Sequence, residues 1–232
     1  MQEITDYGKV FETLIEKTAK YLVDYNKKAQ VIGISGGIDS TVVAAICHEV
    51  SKRTNIPLIG RSLPSKYNKE GETTTADLVG KAFCTDYKVC PIQEMYEDFI
   101  LYIRKCEMPL GIWSGSDHQT PIANGNIQAR LRMIYLYNLA SIHKGLVMDT
   151  DNLTENNLGY FTIHGDVGDF NPIGGLWKTE VFELAKYLTS YYKNFSCVHS
   201  NTEFILENLN KSKAIAESIK LIPTAGLGII TI

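Results

Sequence analysis

The sequence predicts an α/β fold, a doubly wound parallel sheet flanked by helices. Three observations carry that expectation. Short apolar runs alternate with longer amphipathic ones, the pattern of strands returning through crossover helices. No repeat, low-complexity tract or linker divides the 232 residues, so a single domain spanning 1–232 is expected. A Ser-Gly-Gly turn also falls where the first strand should hand over to a helix, at Ser35–Gly37.

The elements follow in order. "YGKVFETLIEKTAKYLVDYNKK" has helical periodicity with a charged face. Val31–Ile34 reads as a short buried strand, and "TVVAAICHEVSKR" as the helix after it. "IPLIGRSL" is a second strand, "KEGETTTADLVGKAF" a helix, "YKVCPI" a third strand and "QEMYEDFILYIRKC" a helix. An irregular stretch rich in Gly, Ser and Asp, "EMPLGIWSGSDHQT", precedes the helical run "NGNIQARLRMIYLYNLASIHK" and the strand "GLVMDT". Further on, Trp177, Val181, Leu184 and Leu188 repeat as one helical stripe. "SYYKNFSCVHSNTEFILENLNKSKAIAESIK" reads as an extra helix with polar flanks.

Composition bounds the function. A hydrophobic share of 44% and a charged share of 21% suit a soluble globular chain. A formal charge of −3 gives no basic footprint, so nucleic acid is not an expected partner. No apolar run reaches membrane-spanning length, and the start lacks the basic-then-apolar pattern of an export signal. The expectation is a cytoplasmic protein with no membrane partner. Cys47, Cys84, Cys90, Cys106 and Cys197 form no C-x-x-C pair and read as reduced thiols.

Two places carry unusual chemistry where strand ends should meet helix starts, the position at which such sheets bind ligands. In "GISGGIDS" (Gly33, Ile34, Ser35, Gly36, Gly37, Ile38, Asp39, Ser40) the glycines leave no Cβ between backbone and ligand. The following amides point outward at a helix N-terminus, which favours an anion. Ser35 and Ser40 add hydroxyls, and Asp39 suits a magnesium ion held against phosphate oxygens. A turn made tight for packing alone is the competing reading. The pattern is neither a Walker loop nor a dinucleotide fingerprint. The second place is "DTDNLTE", where Asp151 and Glu155 stand one helical turn apart. There the competing reading is a set of acids that complement a helix dipole.

The string S-G-G-I-D-S resembles the pyrophosphate loop of the ATP-pyrophosphatase (PP-loop) superfamily, of adenine nucleotide alpha hydrolase-like fold. "GNIQARLRM", "DTDNLTENNLGYFTIHGDVGDFNPIGGLWKTEVFELAKYL" and "PTAGLG", in that order, resemble the NAD synthetase family. The resemblance runs from about Val31 to Gly228. It implies ATP-dependent amidation of deamido-NAD: the nicotinate carboxylate attacks the α-phosphate of ATP, pyrophosphate leaves, and ammonia then displaces AMP. It implies ATP as co-substrate, Mg2+ as cofactor, free ammonia as nitrogen donor and a homodimer.

By resemblance, Gly33 to Ser40, Thr150, Lys178 and Thr224 contact ATP, and Asp39 and Glu155 hold the metal at the catalytic centre. Lys178 sits in a first helical turn, where the dipole disfavours a cation unless phosphate is near; a solvated surface lysine is the alternative. Arg130 is expected to meet deamido-NAD. On a helical wheel it falls among Ile127, Met133, Ile134 and Tyr137, where a guanidinium needs a partner. A snorkelling arginine or an intersubunit ion pair would also satisfy it. Asp169 is the matching substrate aspartate. Ile163 stands where the family has a substrate-facing lysine, so His164 or another group would substitute. The chain ends at "GLGIITI" where the family continues into a His-Lys pair, and no glutamine amidohydrolase domain precedes it. Two alternatives follow from these departures. One is a nucleotide-binding or sensing protein without turnover; the other is a PP-loop enzyme acting on another acceptor such as tRNA.

Overall fold

Alternation along the strands decides which helices cover which face. The computed structural model describes residues 4–107, 120–198 and 201–221. Its helices are α1 (Tyr7–Asp24), α2 (Ile38–Thr54), α3 (Glu70–Phe83), α4 (Gln93–Glu107), α5 (Thr120–Ile142), α6 (Leu153–Leu158), α7 (Lys178–Val198) and α8 (Thr202–Lys220). Its strands are β1 (Gln30–Gly33), β2 (Leu58–Ser62), β3 (Asp86–Val89) and β4 (Leu146–Val147). In β1 and β2, Ile32 and Leu58 face the larger core with residues of α1, α2, α3, α7 and α8. Their neighbours Val31 and Ile59 face a second core with Met133, Leu136 and Ala140 of α5. A period of two thus sends adjacent apolar side chains into opposite layers. The expected doubly wound architecture is what the chain adopts.

The sheet is parallel, with strand order β3-β2-β1-β4. The chain starts at β1, winds outward through β2 and β3, then returns to β4 on the other side of β1. That reversal opens a crevice at the carboxyl ends of β1 and β4. The stretch read as one extra helix divides. Its first part continues α7 to Val198, and the rest forms α8. Helix α8 is fastened by Lys211, whose buried ammonium pairs with Glu207 at 2.5 Å and stands 5.6 Å from the Tyr192 ring. Leu221, its C-cap, reaches the crevice wall. No described helix is long and apolar enough to cross a membrane.

At the sheet's outer edge β4 is only two residues long. Asp169 extends it: its amide donates to the Val147 carbonyl at 2.8 Å, and its carboxylate accepts the Val147 amide at 2.9 Å.

Candidate functional site

The crevice is a cavity of about 490 Å³. Its floor is the loop after β1. Gly36 adopts φ +87°, and a Cβ there would sit 2.3 Å from the Glu72 carbonyl oxygen. Only glycine can follow this path, because the loop backbone is seated directly on α3. Gly37 is the N-cap of α2 and supplies no side-chain acceptor. The first-turn amides of Ile38, Asp39 and Ser40 therefore lack helical partners and present a positive dipole end.

The expected loop residues divide by role. Gly33, Ile34, Ser35, Gly37, Ile38 and Asp39 line the cavity. Gly36 and Ser40 do not. The Ser40 hydroxyl is buried, 3.0 Å from the Gly37 carbonyl and 3.0 Å from Ser35 Oγ. It shapes the loop from behind.

Across the crevice, the segment after β4 brings the second carboxylate. Asn152 is fully buried and caps α6: its Oδ1 accepts the amides of Thr154 at 3.0 Å and Glu155 at 3.1 Å. Glu155 Oε2 returns the bond to the Asn152 amide at 3.1 Å, completing a capping box. The remaining Asn152 group, Nδ2, donates to Asp39 Oδ1 at 3.0 Å. One amide side chain thus couples two segments 113 residues apart.

Lys178 joins them from the first turn of α7. Its ammonium pairs with Asp39 Oδ2 and lies 3.5 Å from Glu155 Oε1. Its own amide donates to Thr154 Oγ1 at 3.0 Å. All three side chains are mostly buried, with 17% to 25% of each exposed. Lys178 is therefore no surface lysine. Glu155 serves both readings given above, as a helix-capping acid through one oxygen and as a cleft carboxylate through the other.

The electrostatics are those of crowded acids. Burial, reinforced by the Asp39 charge and opposed by Lys178, raises the Glu155 carboxyl above its usual range. Burial, with the charges of Asp149, Asp166, Glu155 and Asp39, pushes Asp151 up to about 7. Asp149 is also raised by burial, although the Asp151 and Gly168 amides donate to it at 2.7 and 2.9 Å. Asp151 Oδ2 and the Tyr160 hydroxyl are buried without a hydrogen-bond partner, and both residues line the cavity. Buried polar atoms of this kind normally find partners, so the wall is arranged for a polar occupant. Thr150 lines the same cavity. Thr224 lies outside the described residues.

The expected substrate residues Arg130, Ile163 and Asp169 are exposed and line none of the cavity; Arg130 and Ile163 meet, while Asp169 is engaged at the edge of β4. Arg130 Nε donates to the Ile163 carbonyl at 3.2 Å. Ile163 is 64% exposed, and His164 beside it has φ +62°. The apolar arc expected around Arg130 needs correcting. Helix α5 buries the seam Ala129, Met133, Leu136 and Ala140, and turns Arg130, Ile134 and Tyr137 outward. The competing apolar rows on this helix are close enough that the wheel alone could not choose between them. Sequence reasoning missed Asn152, Tyr160, Arg132 and Leu221. The Asn152-x-x-Glu155 spacing was a capping signal that marked the first.

Comparison with known proteins adds identity to this geometry. The family model described as NAD synthase matches residues 10–195. A protein named NH(3)-dependent NAD(+) synthetase from Campylobacter jejuni is 32% identical over 191 residues, 82% of this chain and 71% of that one. Among solved structures, NMN synthetase from Francisella tularensis superposes with TM-score 0.74 at 28% identity, covering 97% of this chain and 78% of that one. NH3-dependent NAD synthetase from Campylobacter jejuni, solved with a nitrate ion, gives 0.69 at 27% identity, covering 95% and 99%.

Proposed function

The chain belongs to the NAD synthase family, and from that premise we propose that the cleft joins ammonia to the nicotinate carboxylate of deamido-NAD with cleavage of ATP to AMP and pyrophosphate. The protein is a ligase that forms a C–N bond. The observation that carries this reading is the meeting of Asp39, Glu155 and Lys178 at one point beside the outward amides of the loop after β1.

The reaction asks for little covalent participation by the protein. It must align two anions that repel each other and neutralise the charge that builds on phosphorus. The α2 amides and Ser35 suit phosphate oxygens, with Thr150 on the opposite wall. Thr224 is assigned to ATP by resemblance alone. Two carboxylate oxygens that already share one ammonium offer the hard donors Mg2+ takes, one or two carboxylates with phosphate supplying the rest. Asp39 and Glu155 would hold it; when bound, such an ion polarises the phosphoryl oxygens for attack. Lys178, which pairs with both carboxylates, would be free to turn toward the phosphate chain if they held such an ion. Lysine is suited to that exchange, since its flexible stem carries a compact charge.

The acceptor enters over the exposed surface. Arg130 offers a guanidinium to the dinucleotide, and Ile163 contributes contact without charge. Ile134 and Tyr137 beside Arg130 are exposed apolar groups on α5, which supports a homodimer built along that helix. The five cysteines are free, in keeping with work in the reducing cytoplasm.

The test is direct. Purified protein given ATP, Mg2+, deamido-NAD and ammonium should release AMP and form NAD in equal amounts; the absence of both products sinks the reading. The F. tularensis likeness makes nicotinate mononucleotide the comparison acceptor. Preference for it would keep the chemistry and shorten the substrate.

A further inference from the structure

Two arginines, Arg61 and Arg132, line the cleft, and they are held differently. Arg61 of β2 is paired: its Nη2 reaches Asp86 Oδ2 at 2.7 Å, and its Nη1 donates to the Gly60 and Asp86 carbonyls at 2.8 and 3.1 Å. Arg132 of α5 is not. Its Nε donates to the Leu63 carbonyl at 2.9 Å, and its Nη2 reaches Asn68 Oδ1 at 3.4 Å. Both acceptors are neutral. Among the described residues no carboxylate comes within ion-pair distance of it.

Two positions along a helix rotate a side chain by about 200°, which sends Arg132 inward where Arg130 points out. The inward guanidinium lines the cavity alongside the phosphate loop. The side chain is part-buried, and this desolvation pulls its pKa below the ordinary arginine range while the charges of Asp166 and Glu72 oppose the shift. A guanidinium nonetheless stays charged in proteins, and a buried charge is costly unless it is paired. Arg61 meets that demand within the fold. Arg132 is braced on one edge by neutral oxygens and has no carboxylate against it among the described residues, so an anion in the cleft would supply its counter-charge.

We propose that Arg132 binds a phosphoryl oxygen of a nucleotide held in the cleft. The inference rests on the nucleotide-site reading above and adds a second anion contact, facing the phosphate loop from α5. The phosphoryl group belongs either to ATP or to the pyridine dinucleotide, and the experiment separates them.

Calorimetric binding of ATP and of deamido-NAD is measured on the purified chain and on Arg132→Met and Arg132→Gln. Glutamine can still donate to the Leu63 carbonyl, so it removes charge while sparing the brace. Loss of a charge-assisted bond to phosphate should weaken one nucleotide about tenfold to hundredfold, with Arg132→Lys recovering much of it. A loss confined to ATP assigns the triphosphate; one confined to deamido-NAD assigns the dinucleotide. Unchanged affinity for both in Arg132→Gln, with only a lower melting temperature, overturns the proposal and leaves a structural brace. A wild-type chain that binds both nucleotides but forms no NAD would defeat the proposed reaction while leaving this contact intact.

Discussion

Asp39, Glu155 and Lys178 lie mostly buried, each fixed by a neighbour, whereas Arg130, Ile163 and Asp169 lie on open surface with backbone oxygens and amides for partners. In the proposed reaction the first group would face the part that never varies, the phosphate chain and its charge. There, a displacement of about an ångström costs rate directly. The second group is proposed to meet the acceptor, where shape and charge could change without disturbing the phosphates. On that proposal an interlocked chemical floor is set apart from an adjustable outer surface. Substitutions should reveal the boundary.

The largest effect belongs to the floor. Asp39→Ala should lower AMP release by a factor on the order of a thousand or more, with an unchanged circular dichroism spectrum. Activity near wild type would remove Asp39 from the chemistry. Gly36→Ala should follow, through folding. An alanine Cβ 2.3 Å from the Glu72 carbonyl oxygen, at φ +87°, must displace either the loop or α3. A stability loss on the order of 2 kcal/mol or more is expected, read as a lower denaturation midpoint. Asn152→Ala removes the tie to Asp39 and the cap of α6 together. Activity should fall about tenfold to hundredfold with the Mg2+ requirement shifted upward, since a lost cap alone costs only about 1 kcal/mol.

On the outer surface the effects shrink. Arg130→Ala should raise the KM for deamido-NAD about tenfold or less while leaving that for ATP in place. Ile163→Lys should lower the same KM. A change in the ATP constant from either variant would erase the boundary between the regions.

The smallest effect is on pH dependence. The Asp151 carboxyl is raised from an ordinary value near 3.8 to about 7. Its protonated form is favoured in the folded state, so its contribution to stability is complete below pH about 4 and lost as pH rises toward 7. Asp151→Asn should thus gain melting temperature relative to wild type over that window, by a few degrees, and level off above it. A constant difference across the series would contradict the assigned burial.

How much of this could be read in the chain follows the same division. The strands and most helices were legible from short apolar runs alternating with longer amphipathic ones, even though α2 and β2 are buried without a local period. The floor was legible because the Ser-Gly-Gly-Ile-Asp-Ser turn and the Asp-Thr-Asp-Asn-Leu-Thr-Glu segment carry their chemistry in adjacent residues. What escaped was contact made across the sequence. Arg132 sits in a motif that could be quoted, yet only packing against Leu63 and Asn68 sends it inward while Arg130 turns out. Asn152 went unread even as a cap, although Asn152-x-x-Glu155 has the spacing for one, and its bond to a carboxylate 113 positions away has no local trace. Asp169, expected at the substrate, spends one oxygen on the Val147 amide. Helix α8 was visible as a helix, while its place beside α3, bringing Leu221 to the cleft, depended on the tertiary fold.

The reciprocal bonds between Asp169 and Val147 bear on self-association as well. An unpaired outer strand invites a foreign chain to add to the ladder. Next to β4 that invitation is withdrawn, because the protein's own carboxylate already satisfies the outward amide. The opposite margin, β3, keeps its ladder uncovered among the described residues, with Lys88 as its charged deterrent and Val89 half open to water. Should the protein aggregate on heating, strand-to-strand accretion would start from that margin.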